Sequence, residues 1–328
     1  MLKYIKVTPL AAESLGARSM CTYVETADVK ILLDAGVSLC PNRFGLPPHP
    51  HEFKAIEESR KRIAEVAERT EIITISHYHF DHHTPSFEDW LCNWTARDET
   101  ARQIYADKTV LVKNPKEKIN YSQRQRGWMF QKTSGKYAKE IENADGRTFI
   151  FSNTIVRFSE PVFHGSENSF LGYVLMAVVE SQGEKFMFAP DVQGPMSTHT
   201  QTVIIQEKPQ LLMIGGPPLY LSGLKVDEEQ AQAGLKNLQE TIGTVPQIIL
   251  EHHILRDEKW REETANVFDM AHKTRHTVLT AAEFLGKENA FLEAGRKRLF
   301  IEDPPSKTFE KWMRLNGEKM RRVKPQIQ

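Results

Sequence analysis

A run of four histidines and one aspartate within seven residues constrains this chain more than any other feature. The run, His77 to His83, directly follows an apolar stretch (Ile72, Ile73, Ile75) that predicts the end of a buried strand. Side chains two apart in an extended segment share a face, so His77 and His79 can hold one metal ion. Asp81 and His82 follow where the chain must turn, and they can reach a neighbouring position. Imidazole nitrogen and carboxylate oxygen are ligands of borderline and hard cations. The run therefore predicts a metal site rather than a histidine-rich surface loop.

The spacing His77-x-His79-x-Asp81-His82 resembles the HxHxDH signature of the metallo-β-lactamase superfamily, most of whose members are two-metal hydrolases. The resemblance covers roughly residues 1–295. It implies an α/β (α+β) fold, a four-layer αβ/βα sandwich. The chain order of strands, a helix, more strands and then helices agrees with two β-rich halves covered outside by helices.

The resemblance implies further ligands later in the chain. His164 ends an apolar stretch and resembles the third ligand of the first metal. Asp191 follows the apolar segment Phe186–Ala189 and resembles the aspartate that bridges both metals. His252 follows an apolar strand directly and is the expected last ligand, with His253 as the alternative. By the family pattern, the first metal takes His77, His79 and His164, the second takes Asp81, His82 and His252, and Asp191 lies between them.

Five more residues near these ligands are expected to support the site. Asp34 ends the predicted strand Val29–Asp34, and the superfamily has a supporting aspartate at the matching place. The others either contact substrate or orient a ligand, and both interpretations stay open for them: His83, Gln193, His253 and Arg256. Shorter stretches around Asp191, Gly215 and His252 resemble a largely archaeal, functionally unassigned branch of the superfamily, which supplies no substrate.

The expected cofactors are two divalent metal ions. The histidine-rich ligand set fits zinc best, with manganese or iron as alternatives. Two such ions lower the pKa of a shared water toward ~7, and the metal-bound hydroxide would be the nucleophile. Asp81, as proton acceptor, and Asp191 are the expected catalytic residues. The expected activity is hydrolysis of a small-molecule ester, lactone or phosphodiester.

Composition and charge bound the other possibilities. Lys plus Arg equals Asp plus Glu at 43 each, so overall charge favours no partner. No apolar stretch approaches a membrane span, and the amino terminus resembles no signal peptide. Three scattered cysteines indicate reduced thiols and predict a cytoplasmic protein. We expect one domain over residues 1–300, with an insertion at about 86–146 and a loose basic tail over 301–328.

The expected insertion holds the strongest charge asymmetry of the chain. Residues 108–139 carry nine Lys or Arg against one acid, with aromatic residues interleaved. Cations bind phosphates and aromatic faces stack on bases, so the alternative function is a nuclease or phosphodiesterase acting on nucleic acid. Its expected contacts are Lys116, Lys118, Arg124 and Arg126. A solvated insertion is the simpler interpretation. A third hypothesis is a non-catalytic metal-stabilised protein or an oxygen-reducing di-iron relative. Such a relative typically needs a flavin domain, and the sequence shows no Gly-rich phosphate-binding loop for one.

Overall fold

The computed structural model describes residues 2–167 and 169–327. Its first sheet has six strands in chain order, with the first three antiparallel and the last four parallel. The strands are β1 (Lys6–Pro9), β2 (Thr22–Glu25), β3 (Lys30–Leu33), β4 (Ile72–Ile75), β5 (Thr109–Val112) and β6 (Glu140–Asn143). The parallel pairing aligns the carboxyl ends of β3 and β4 at one edge of the sheet.

The second sheet has seven strands and repeats this design. Its strands are β7 (Thr148–Phe151), β8 (Thr154–Phe158), β11 (Ala177–Ser181), β12 (Glu184–Ala189), β13 (Leu211–Gly215), β14 (Gln247–Glu251) and β15 (Thr277–Leu279). β7, β8, β11 and β12 are antiparallel neighbours, and β12 to β15 are parallel. A separate pair, β9 (Val162–Phe163) and β10 (Tyr173–Val174), lies between β8 and β11 in the chain.

Alternating side chains divide the interior into three apolar layers. Ile31 and Leu33 of β3 pack against Phe186 and Phe188 of β12 between the two sheets. Leu32, between them in sequence, packs on the opposite face against the helices of the first half. Met187 likewise faces the helices of the second half. Helix, sheet, sheet and helix therefore form four layers, and the predicted αβ/βα sandwich is confirmed.

Helices cover both outer faces. The first, α1 (Pro50–Glu68), begins with His49 and Glu52 in a capping box and buries one apolar face. The others are α2 (Arg97–Tyr105), α3 (Tyr121–Lys132), α4 (Thr198–Glu207), α5 (Glu228–Thr244), α6 (Trp260–Glu263), α7 (Ala265–Thr274), α8 (Ala281–Phe284), α9 (Arg296–Glu302), α10 (Lys307–Met313) and α11 (Gly317–Arg322). Short 3₁₀ turns cover Glu13–Leu15, Ser134–Tyr137, Leu219–Leu221 and His252–Arg256.

Residues 86–146, expected as an insertion, contribute two strands to the first sheet. β5 pairs with β4 and β6 pairs with β5, both in parallel register. The buried side chains of β5, Val110, Leu111 and Val112, belong to the apolar layers on both faces of that sheet. The helices α2 and α3, the 3₁₀ turn Ser134–Tyr137 and the connecting loops of this segment lie outside the sheets.

The expectation of a loose tail after residue 300 is wrong for most of its length. α10 and α11 fold back onto the first half, where Phe309, Trp312 and Met320 are buried in the layer beneath α1. Phe309 and Trp312 both contact the ring of Phe53, which anchors the segment through aromatic packing. Three large apolar side chains outweigh the basic composition that suggested a solvated tail.

Within the described residues, no helix combines the length and the apolar character that crossing a membrane requires.

Candidate metal centre

The residues expected at the site come together where strands of both sheets end. His77 to His83 follow β4, Asp34 follows β3, Asp191 follows β12 and His252 follows β14. Each of these strands lies in the parallel part of its sheet, so their carboxyl ends open toward one another. His164 reaches the same point from the end of β9. The fold therefore concentrates imidazoles and carboxylates at one edge of the sandwich.

The first group of possible metal ligands is His77, His79, His164 and Asp191. One ligand atom from each lies within 4.8 Å of the others. Asp191 Oδ2 is 3.0 Å from His77 Nε2 and 3.3 Å from His164 Nε2. His77 Nε2 and His79 Nδ1 face each other at 3.0 Å. These four residues are the first metal's predicted ligands together with the predicted bridge.

The second group is Asp81, His82 and His252. A turn after His79, closed by the His82 amide donating to the His79 carbonyl at 3.0 Å, directs His82 toward Asp191. His82 Nε2 lies 3.1 Å from Asp191 Oδ2, and His252 Nε2 lies 3.0 Å from Asp191 Oδ1. His252 Nε2 is also 3.7 Å from Asp81 Oδ2. Asp191 thus lies between the two groups, where a bridging carboxylate is expected.

The two neighbouring histidines at 252 and 253 have different surroundings. His252 is fully buried and belongs to the group with Asp81 and His82. His253 Nε2 also approaches Asp191 Oδ1, at 3.1 Å, but its side chain is partly exposed. His253 groups only with Asp191 and His252. Geometry therefore favours His252 for the second metal and leaves His253 facing the open side of the site.

Protonation of these groups follows from burial and from their neighbours. Burial lowers the pKa of His77 well below its ordinary value, and it lowers that of His79 to about 3. Burial alone would raise the pKa of Asp191, but its histidine neighbours, led by His252, hold that pKa well below the ordinary range. Burial alone would lower the pKa of His82 and His252, but Asp191 raises both above the ordinary value. A cation binds the neutral form of an imidazole, so metal binding at these two rings would compete with a proton.

Four buried atoms at this point test whether a metal fits. Within the described part of the chain, Nε2 of His82, His164 and His252 and Oδ1 of Asp191 have no hydrogen-bond partner. Each unsatisfied buried polar atom costs roughly 1–3 kcal/mol, so four in one place favour a shared cation. Lone pairs on three imidazoles and one carboxylate are also the donors that zinc and similar ions take. The residues present therefore fit a bound metal ion.

Other side chains orient the candidate ligands through their second ring nitrogens. Asp34 Oδ2 is 2.7 Å from His82 Nδ1, and Asp34 also accepts hydrogen bonds from the amide and hydroxyl of Ser76. Gln193 Nε2 is 3.4 Å from His164 Nδ1. Such contacts fix ring orientation and tautomer. Asp34 therefore lies where the resemblance implies a supporting aspartate, and Gln193 contacts a ligand, which is one of the two roles left open for it.

His83 and Arg256, also expected near the ligands, have different contacts. His83 Nδ1 lies 2.9 Å from the His79 carbonyl oxygen, so its ring closes the ligand turn. Arg256 is buried between Glu13 and the two histidines, with Nη1 3.0 Å from His253 Nδ1.

Two further positions contribute to the site, and only one of them had a sequence signal. Glu13 Oε1 lies 3.3 Å from His252 Nδ1 and accepts from Arg256. Gly36 lies so close to the ligand loop that a Cβ there would be 2.2 Å from the His83 amide nitrogen. A buried acid in the stretch 11–15 has no motif around it, whereas the strand-end Asp34-Ala35-Gly36 did mark the second position.

Backbone strain accompanies the ligands. Asp34, Asp191, Gln193 and His252 have positive φ angles of 50°, 49°, 56° and 70°. Non-glycine residues in this region are uncommon, and such strain concentrates at functional sites. Four strained residues around one cluster indicate that side-chain placement outweighs local backbone preference here.

Known proteins similar to this chain are found by sequence and by fold. No family model matches the chain. It is 43% identical over 297 residues to a UPF0282 protein of Methanocaldococcus jannaschii, covering 90% of this chain and 96% of that protein. It is 44% identical over 296 residues to a UPF0282 protein of Thermococcus gammatolerans, covering 90% of this chain and 95% of the relative. The chain belongs to the UPF0282 family.

Solved structures similar to this UPF0282 protein share its fold at low sequence identity. Unliganded yeast PDE1 matches with a TM-score of 0.50 and 11% identity, covering 85% of this chain and 99% of that one. Tm1679, described as a metal-dependent hydrolase of the β-lactamase superfamily, has a TM-score of 0.45 at 11% identity, covering 85% of this chain and 96% of that one. The two sheets between outer helices, with the ligand loop after β4, form the metallo-β-lactamase type of fold that the HxHxDH motif implies.

A cleft of about 930 Å³ opens over the candidate ligands of this UPF0282 protein. His79, Asp81, His164, Asp191 and His253 form its floor. Its volume is within the range of small-molecule sites, which is ~300–1,000 Å³. Five cationic residues also line it: Arg18, Arg126, Lys225, Arg256 and Arg321.

The four expected nucleic-acid contacts are separated from one another. Arg126 lies in the cleft wall beside the ring of Phe80. Lys116 and Arg124 line a different depression, of about 230 Å³, next to the exposed Trp128. Lys118 is exposed and lies 3.8 Å from Glu160. Of the four, Arg126 alone is among the residues that line the cleft.

Proposed function

We propose that this protein is a metal-dependent hydrolase of small molecules that carry an ester, a lactone or a phosphodiester. One observation carries the proposal. Buried lone pairs on His82, His164, His252 and Asp191 converge without hydrogen-bond partners, among the described residues, beneath an open cleft. A closed structural metal site would not need such a cleft.

The chain offers ligands for two ions that share Asp191. His77, His79 and His164 would hold the first, and Asp81, His82 and His252 the second. When bound, two divalent ions supply Lewis-acid activation of a water and neutralise charge that develops on the substrate. A nitrogen-rich ligand set fits zinc best, with manganese or iron as the alternatives.

Protein groups around the ligands manage protons and position substrate. Asp81 forms part of the cleft floor. Burial alone would raise the pKa of Asp81, but His82 and His252 hold it well below the ordinary value, so the carboxylate is ionised at neutral pH. An ionised carboxylate beside the reacting water accepts a proton from it. His253 is partly exposed in the same cleft and is placed to contact substrate, whereas Arg256 is buried against Glu13 and His253.

The test is hydrolysis of one ester, one lactone and one phosphodiester reporter by metal-loaded protein. We expect turnover of at least one reporter, loss of turnover on chelation and recovery on adding zinc or manganese. Asp191→Asn serves as the matched inactive variant, because it keeps the shape of the side chain. Turnover that survives complete chelation would contradict the proposal.

Nuclease activity through residues 108–139 is the second candidate, supported by exposed Trp128 beside Lys116 and Arg124. Arg124 and Arg126 are two positions apart in α3, which is about 200° around the helix axis. A strand that touched both would have to cross over α3, so we rank a small substrate first. Salt-dependent binding of single-stranded DNA that Arg124→Gln abolishes would reverse that order.

A further inference from the structure

Most cations in the cleft wall are already neutralised by a carboxylate of the chain. Arg18 donates to both oxygens of Glu293, at 2.6 and 2.5 Å. Arg256 donates to Glu13. Arg321 donates to Asp89. These three serve the protein's own structure and are not available to a ligand without breaking an internal pair.

Arg126 differs from them. Its side chain is partly buried in the cleft wall, and no acceptor for its guanidinium is found among the described residues. The guanidinium carbon lies 4.9 Å from the centre of the Phe80 ring. That ring is itself held by edge contact with Phe87 at 5.3 Å. Arg126 is therefore a partly dehydrated cation that packs on Phe80 and lines the cleft, with guanidinium donors unpaired among residues 2–167 and 169–327.

The helix that carries Arg126 is tied to the ligand loop. Gln123 accepts a hydrogen bond from the Tyr78 amide at 3.2 Å and donates to the Leu171 carbonyl at 2.7 Å. Arg126 and Asp81 both line the cleft, so one bound substrate can contact both.

We propose that Arg126 binds the negative charge of the group that is cleaved, and that the substrate is a phosphodiester. This inference rests on the proposed hydrolase function and narrows its substrate class. A guanidinium pairs two donors with two oxygens of one anion. The two non-bridging oxygens of a phosphodiester offer such a pair and one negative charge at the scissile centre, whereas the carbonyl of an ester or lactone is neutral. Lys225, exposed on the cleft rim, adds a second cation for the same anion.

The cleft also has room for both alcohol groups of a diester. Phe170 and Leu171 are exposed at its rim and give an apolar surface to one of them. Hydrolysis forms a P–O bond to the water oxygen and breaks the P–O bond to the leaving alcohol. One proton of the water ends on that alcohol, and the other leaves through Asp81 to solvent, so the products are an alcohol, a phosphomonoester dianion and one proton.

The test compares three aromatic reporters on metal-loaded wild type and Arg126→Gln. The reporters are bis(p-nitrophenyl) phosphate, p-nitrophenyl phosphate and p-nitrophenyl acetate. Losing a charge-assisted contact should lower kcat/KM for the diester about tenfold to 100-fold and leave the neutral acetate within about twofold. Arg126→Lys, which keeps the charge without the fork, should fall between. Arg102→Gln is the matched control. The guanidinium carbon of Arg102 lies 5.0 Å from the centre of the Tyr137 ring, and Arg102 is not among the residues that line the cleft.

Three outcomes would overturn the inference. They are an equal loss on diester and acetate, no loss on the diester, or a preference of wild type for the monoester over the diester. Calorimetric binding of bis(p-nitrophenyl) phosphate separates this inference from the hydrolase proposal. If wild type hydrolyses no reporter but binds the diester at least tenfold more tightly than Arg126→Gln, the hydrolase proposal fails and the anion subsite stands. If turnover persists without dependence on Arg126, the hydrolase proposal stands and the subsite fails.

Discussion

Asp191 is the residue on which both candidate metal positions depend. Its two oxygens lie between 3.0 and 3.3 Å from Nε2 of five histidines, and its φ is 49°. Asn tolerates this backbone region, so Asp191→Asn removes the charge at little conformational cost. We expect metal content to fall and turnover to drop at least ~100-fold, because two cations repel without a shared anion. Melting temperatures of variant and wild type in excess chelator should agree. Two bound ions with full turnover would contradict the bridging role.

Substitution of the neighbouring histidines at 252 and 253 should affect metal binding and turnover differently. His252→Ala should lose one of two ions, since His252 groups with Asp81 and His82. His253→Ala should keep both ions and change KM or kcat, since His253 faces the open side of the site. Elemental analysis of the two purified variants decides between them. Loss of an ion from the His253 variant alone would transfer the ligand role to that residue.

At the scale of elements, α3 approaches the ligand loop through Gly127. A Cβ at Gly127 would lie 2.8 Å from both Tyr78 Cε2 and Pro115 Cβ. Gly127→Ala should therefore lower the free energy of unfolding by about 1–3 kcal/mol through overpacking, despite the higher helix propensity of Ala. It should also displace Arg126.

Gly243 in α5 provides the matched control for that change. The nearest atom to a Cβ there is Met270 Sδ, at 3.7 Å, which is ordinary contact. Gly243→Ala should raise the free energy of unfolding by roughly 0.5–1 kcal/mol. Urea unfolding of both variants shows whether the free energy of unfolding of each falls or rises. An equal rise in both variants would show that helix propensity, not packing of α3, decides.

Elements were predictable where local chemistry fixes them. Local sequence suffices to indicate the hairpin between β7 and β8, the cap of Asp227 on α5 and the capping box of Thr280 on α8. The strand Thr109–Val112 was hidden inside a basic segment, because strand pairing depends on distant partners and not on local charge. The sequence also does not show where the Arg126 side chain points, since that depends on which face of α3 packs on Tyr78. The candidate ligands were predictable because a motif marks them, whereas Glu13 has none.

At the scale of the whole molecule, ion pairs join the beginning of the chain to its end. Arg18, between β1 and β2, binds Glu293, just before α9. Burial alone would raise the pKa of Glu293, but the charge and hydrogen bonds of Arg18 lower it to about 2. A carboxyl whose pKa is lowered on folding stabilises the protein above its ordinary pKa and loses that contribution as pH falls through the folded value.

Glu293→Gln should therefore cost about 2–3 kcal/mol of unfolding free energy at pH 7. The difference from wild type should shrink progressively below pH 4.5, since the pKa of Glu293 shifts from 4.5 to about 2. Urea unfolding at pH 7 and pH 3.5, in chelator so that metal loss does not contribute, measures it. Glu302→Gln is the control, because the Arg298–Glu302 pair is exposed and should contribute little. A pH-independent difference would show that packing, not charge, is what Glu293 contributes.

The central claim is that the sandwich carries two metal ions at one edge. Metal content per chain, measured in protein purified without chelator, tests it most directly. We expect close to two transition-metal ions per chain, and His79→Ala should lose at least one of them. A stoichiometry near zero in wild type would contradict the whole site.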